Sequence, residues 1–332
     1  MVTVIPSLPY SIQKVGKDIA KVNNWNIVLP TKSGALPEDA YAINDDIMIV
    51  GNVDPYLSNV IMIFGRKIKL AYLVAEGEIN QIPQIMGFSM LKSKIVTPSK
   101  FSKGFLEHFG FNDIDIIPHY IPIPPYEEPK TIRTGKDIVY GWLGGTIERK
   151  YPNFIGPMLN ELKHEGIFTR LLTAGMNPFL NLFTEIRTNE YEVEDLSDWY
   201  RSIDIFWNIS GNEGFGITPL EAMSYGKPAI LPDMPPFDET ILTPFEQKYG
   251  TYPLKVKTYG YYIWNYGHYH IPVYAWSTYH AMDIIYKLRD MEPDKYKQFY
   301  TDLSKKVYDI ASKYSLDKYS AFQEYFNKPH KR

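Results

Sequence analysis

Two carboxylates eight positions apart, Glu213 and Glu221, flank a glycine-rich turn in the segment Ser210 to Pro228, SGNEGFGITPLEAMSYGKP. The run just before it, Asp204-Ile-Phe-Trp-Asn-Ile-Ser210, is apolar and β-branched or aromatic at most positions, as a buried parallel strand is. Thr218 is a good N-cap, Pro219 suits a first helical position, and Glu221 falls three residues after Thr218, which completes a capping box. The spacing therefore predicts a helix from about Pro219. The free N–H groups of that helix, with those of Gly216 and Ile217, would point beyond the strand and attract a phosphate. Gly214 and Gly216 would let a ligand approach the backbone closely. A capping box alone accounts for Glu221, and a plain turn alone accounts for the glycines. Glu213 has no capping task, and beside a positive helix end its carboxylate suits ligand hydroxyls, as in a sugar contact.

The segment resembles the E-x7-E signature of the group 1 retaining glycosyltransferases, which use nucleotide sugars and have the GT-B fold. The resemblance rests on Glu213-Gly-Phe-Gly216, on Pro219-Leu-Glu-Ala-Met223, on Gly226 and Pro228, and on the apolar stretch that ends at Asp233. It implies transfer of a hexose from a nucleoside diphosphate sugar, UDP- or GDP-linked, to a hydroxyl acceptor on a glycan, a lipid or a protein glycan. It also implies retention of configuration, no metal and no cofactor beyond the donor. By resemblance, Glu221 would hold the ribose hydroxyls and Glu213 the donor sugar. The backbone of Gly214, Phe215, Gly216, Ile217 and Thr218 would lie near the sugar and phosphates.

A second cluster, Gly141 to Asn153, reads GWLGGTIERKYPN and lies between a strand and a helix that begins near Pro152. Gly144 and Gly145 open its loop, and Arg149 and Lys150 sit where that loop meets the helix. On an arbitrary loop such a pair is a solvated basic patch. Relatives carry a basic pair here for the donor diphosphate, which Arg would grip as a fork and Lys as a point charge. Many relatives have an Arg directly after the glycine matching Gly141, where this chain has Trp142, so Lys150 is the firmer match and Arg149 a compensating one.

The first half of the chain matches the family less closely. Pro6-Ser-Leu-Pro-Tyr10 stands where relatives often have a Gly-Gly turn, and no counterpart of the donor-facing His of relatives is evident. Glu76 and Glu78 follow a predicted strand and could face a cleft, or be an exposed turn pair. His119, in IIPHYIP, fits a hinge better than catalysis. Two further readings stay open: a non-catalytic binder of nucleotide sugar or glycan, and a GT-B epimerase.

Positioning these residues requires parallel sheets wound by helices, because short apolar strands alternate with amphipathic helices along the chain. The strands expected are Val2–Ile5, Trp25–Leu29, Ile47–Val50, Lys69–Val74, Lys94–Thr97, Ile114–Ile117, Ile138–Leu143, Thr169–Ala174 and Glu190–Glu194, then the signature strand. Helices are expected over Ser11 to Asn23, Ser99 to His108, after Pro152, and near Leu196–Ile203. The stretch Ile121 to Lys136 holds Pro122, Pro124, Pro125 and Pro129 and reads as a stiff connector. The fold expected is α/β: two Rossmann-like, doubly wound parallel-sheet domains facing a central cleft. Residues 1–125 would form the acceptor-side domain and residues 126–310 the donor-binding domain. Residues 311–332 would form a helical tail packing back on the first domain.

The 332-residue length suits two domains, each able to bury a core. With 35 basic and 38 acidic residues the net charge is −3, and no long basic stripe points to nucleic acid. The chain has no cysteine, which removes disulfides and thiolate metal sites. It opens on MVTVIPSLPY, unlike a signal peptide, and has no run long enough to span a bilayer, so a cytoplasmic protein is expected. Between Tyr259 and Tyr279 aromatics crowd together, which suits core packing first, and otherwise sugar stacking or peripheral contact with a membrane. His268 and His270 lack a third partner and make a weak metal signal. The base, sugar, acceptor and oligomeric state depend on loops rather than on these motifs.

Overall fold

The computed structural model describes residues 1–52, 55–75, 92–145, 152–167, 169–174, 185–187, 196–208, 210–266 and 269–327. The chain divides into two compact units. One comprises Met1–Ile121, Asn265–Ile271 and Tyr314–Arg332, and the other Pro122–Trp264 and Pro272–Lys313.

The first unit is built on six strands, β1 (Val2–Pro6), β2 (Asn26–Ile27), β3 (Asp46–Asn52), β4 (Ile68–Val74), β5 (Lys94–Thr97) and β6 (Ile114–Ile116). They lie in the order β2-β1-β3-β4-β5-β6, and every pair is parallel. Strands β1 and β4 are buried almost throughout, which is why they read as continuous apolar runs rather than alternating ones. Helix α1 (Tyr10–Asn23) turns Ile12, Val15 and Ile19 inward at helical spacing. Helix α2 (Pro55–Phe64) buries Tyr56, Leu57, Val60 and Phe64. Helix α3 (Lys100–His108) starts on Ser99, whose Oγ accepts from the Ser102 N–H at 3.0 Å. The C-terminal stretch Leu316–Phe322 completes this core with Tyr319 and Phe322, and Asn23 Nδ2 donates to the Tyr319 carbonyl at 3.1 Å.

The second unit repeats the plan with β7 (Tyr140–Gly145), β8 (Thr169–Ala174), β9 (Glu185–Arg187), β10 (Ile205–Trp207), β11 (Ala229–Pro232) and β12 (Lys255–Val256). Their order is β12-β11-β10-β7-β8-β9, again all parallel. The chain builds outward from β7 to β9, then returns to the other side of β7 at β10. Its sheet therefore reverses direction between β7 and β10, the switch point at which open α/β sheets bind ligands. Residues 122–134 form neither helix nor strand. Helices α4 (Pro152–His164), α5 (Ser197–Ser202), α6 (Ile217–Ser224), α7 (Thr243–Tyr249), α8 (Thr278–Asp290) and α9 (Pro293–Ala311) cover the sheet. The aromatic segment forms a hairpin of β13 (Thr258–Tyr266) and β14 (Tyr269–Trp276). The strand expected at Glu190–Glu194 and the pair Glu76 and Glu78 lie outside the described residues.

His119 is packed inside the first unit, 1% exposed. The Tyr72 hydroxyl donates to the Ile117 carbonyl at 2.7 Å and lies 3.0 Å from His119 Nδ1. With its one proton so used, Tyr72 accepts from a protonated Nδ1, which fixes the neutral tautomer. Burial pushes the His119 pKa down to about 3, against about 6.5 in an unfolded chain. Between those values only the unfolded chain takes up the proton, so stability present above the unfolded value is lost as pH falls through the window, by about 1.4 kcal/mol per pH unit. The stability of the wild type is expected to fall more steeply from pH 6.5 to 5 than that of His119→Asn, measured by urea unfolding; equal slopes would contradict the assignment.

Candidate functional site

The site grows from β10 and the loop behind it. Phe206 of β10 packs against Trp199 and Tyr200 of α5, with ring centroids 6.2 Å away in both cases. Past the strand, Ser210 Oγ donates to the Asn212 carbonyl at 2.7 Å, and the Tyr274 N–H of β14 donates to the Gly211 carbonyl at 2.9 Å. The hairpin is thus a support of this loop, a part that the sequence signature did not indicate. Glu213 and Phe215 are both buried, at 6% and 3% exposure.

Helix α6 begins at Ile217, two residues earlier than the capping box predicts, and Thr218 is not its cap. Gly216 takes that place, with φ 90° and ψ 50°, and no side chain caps the helix. A Cβ on Gly216 would lie 2.6 Å from the Phe237 ring, which is itself fully buried. Both the left-handed conformation and the close ring therefore require glycine. Starting the helix here puts Thr218 and Pro219 within its first turn. The N–H groups of Gly216, Ile217 and Thr218 have no partner within the helix, and Pro219 has none to offer. Three donors and the positive end of the helix dipole thus gather next to Glu213.

Glu221 lies one turn further along α6, 7% exposed. Its Oε2 accepts from the Tyr200 hydroxyl at 2.9 Å, so it is held from α5 rather than folded back in a capping box. Tyr200 is itself fixed by a stacked contact with Tyr225, 5.6 Å between centroids and 15° between planes. The role of Tyr200 has no sequence signal other than its place in the helix before the signature strand.

Gly144 and Gly145 end strand β7, which pairs with β10 through Tyr140 with Ile205 and Gly141 with Phe206. The loops leaving β7 and β10 thus start side by side at the switch point. Arg149 and Lys150 lie outside the described residues. Trp142, where many relatives have an Arg, is 1% exposed and belongs to the core. His268 lies outside the described residues, and the described residues hold no cluster of three metal-ligating side chains.

Residues 187–249, which span both glutamates, match the family of group 1 glycosyl transferases. Over 263 residues the chain is 28% identical to the uncharacterized glycosyltransferase 335 of Sulfolobus islandicus rod-shaped virus 1, covering 72% of this chain and 78% of that protein. The catalytic domain of starch synthase IV from Arabidopsis thaliana, bound to ADP and acarbose, is similar at TM-score 0.63 and 12% identity over 98% of both chains. A TarM mutant from S. aureus, in complex with fondaparinux, alpha-GlcNAc-glycerol and UDP, is similar at TM-score 0.58 and 11% identity over 85% of this chain. The chain spans only 55% of the length of that TarM structure. The fold is thus GT-B.

Gly216→Ala forces a methyl group against Phe237 in a left-handed residue, a cost of about 2 to 4 kcal/mol. Denaturant unfolding is expected to show that loss, whereas unchanged stability would mean that the helix start is set elsewhere.

Proposed function

We propose that the protein is a retaining hexosyltransferase that takes its sugar from a nucleoside diphosphate donor, UDP- or GDP-linked, and gives it to a hydroxyl acceptor on a glycan, a lipid or a protein glycan. The observation that carries this reading is the meeting of two buried glutamates with the α6 N-terminus at the β7/β10 switch point. The ADP and UDP held by the two solved relatives support a nucleoside diphosphate as the common ligand.

In this reading the N–H groups of Gly216, Ile217 and Thr218 bind the diphosphate. Glu221, kept in place by Tyr200, accepts from the ribose hydroxyls, and Glu213 accepts from hydroxyls of the hexose. Gly214 and Phe215 let the sugar come close to the backbone, and Gly144 and Gly145 do the same from the neighbouring strand. Negative charge grows on the diphosphate as the glycosidic bond breaks. Arg149 and Lys150 neutralise it together with the helix end, a route that does not call on a metal. The acceptor hydroxyl then attacks the anomeric carbon from the face the diphosphate leaves, and a diphosphate oxygen takes its proton. Such an enzyme would work in the cytoplasm, in peripheral contact with a membrane when the acceptor is a lipid. Trp142, buried where many relatives have an Arg, favours a second reading, a binder of nucleotide sugar without turnover.

Thermal unfolding with UDP, GDP, ADP, dTDP and their hexose conjugates tests the donor site. At about a hundred times Kd a ligand adds about 2.7 kcal/mol to stability, and one base should raise the melting temperature by about 4 °C. Glu221→Ala is expected to remove most of that shift. A shift of the same size in the variant would leave Glu221 a structural residue, and no shift with any nucleotide would sink the donor reading.

A further inference from the structure

At the opposite end of the second unit's sheet, a cavity of about 390 Å³ is lined by residues of the 124–131 connector and by Arg133, Arg201, Asp204, Tyr225 and Lys227. Asp204 immediately precedes β10 and Lys227 lies just before β11, so the cavity opens at the amino ends of these strands. The donor site lies at their carboxyl ends, which makes the two places distinct.

Charge within the cavity is unevenly matched. Asp204 is saturated: Arg133 Nε donates to its Oδ2 at 2.7 Å, Arg133 NH2 donates to its Oδ1 at 3.0 Å, and the Val139 N–H donates to Oδ2 at 2.8 Å. Glu128 pairs with Lys305 at 3.3 Å, which leaves Glu127 as the other lining carboxylate. Against these stand Lys227, Arg201 and Lys130. Lys227 is part-buried along its length, and its ammonium donates to the Arg201 carbonyl at a long 3.4 Å. Arg201 has a loose contact with the exposed Asp198 at 3.6 Å and stacks its guanidinium over the Tyr225 ring at 5.2 Å. Burial lowers the Lys227 pKa, with Asp204 opposing the effect and Arg133 adding to it.

We propose that this cavity is a second anion site, in which Lys227, Arg201 and Lys130 take the phosphate group of a phosphate monoester, free or as a headgroup. A dianion with several oxygens suits a fork and two point charges approaching from different elements.

The test uses the full chain and inorganic phosphate, with chloride added to hold ionic strength constant. Phosphate is expected to raise the melting temperature and to protect Lys227 from acetylation, read by mass spectrometry on the wild type. Lys227→Met and Arg201→Gln should each weaken the phosphate effect roughly tenfold while leaving any nucleotide-induced shift unchanged. A phosphate effect that persists in both variants would belong to the α6 terminus and overturn the proposal. A second arm repeats the acetylation with vesicles of phosphatidylcholine, with and without phosphatidic acid. Protection by the free ion assigns a soluble ligand, and protection by phosphatidic acid vesicles alone assigns a headgroup. Absence of protection in both arms overturns the site.

Discussion

The close approach of the Phe237 ring to Gly216 fixes where the chain turns from β10 into α6, and the geometry of the site depends on it. Because Gly216 is left-handed, the helix starts at Ile217, so its first turn points three N–H groups outward. A side chain at that position would move the helix start and with it the direction of those donors. The packing of a buried ring thus sets the electrostatics of a ligand site, since the helix dipole acts only near its terminus.

The second constraint is the burial of Glu213 and Glu221. A buried carboxylate needs hydrogen bonds to offset its lost solvation, and each group left unmatched costs about 1 to 3 kcal/mol. Tyr200 supplies one such bond to Glu221, and its ring is wedged among Trp199, Phe206 and Tyr225. Strand β10, helix α5 and helix α6 thereby share one aromatic cluster that orients a polar group. The α6 C-terminal turn at Gly226 is equally confined, because a Cβ there would lie 2.6 Å from Ser304 Oγ of α9. The helix is held at both ends, which keeps the glutamate it carries at a fixed depth.

The parallel, doubly wound architecture was legible in the sequence because buried strands such as VTVI and KIVT stand apart from helices with a clear apolar stripe, such as α1. The site segment was legible because its glycines, proline and glutamates keep a fixed order. The start of α6 departs from the local pattern: Thr218 and Glu221 satisfy the rule for a capping box, but the conformation of Gly216 and the Phe237 ring override it. Helix α2 gave no signal, since VIMIF is apolar on consecutive residues and does not show a helical period. Tyr200 and the β14 backbone reach the site through contacts 21 and 63 residues apart in sequence, beyond any local pattern. Trp142 shows the converse, a position where the resemblance suggested a missing ligand and the fold has a core residue.

A crystal structure of the protein with the nucleoside diphosphate that stabilises it tests the donor site most directly. The diphosphate is expected at the N–H groups of Gly216, Ile217 and Thr218, with the ribose hydroxyls on Glu221. A nucleotide bound elsewhere, with the α6 terminus and Glu221 untouched, would contradict it.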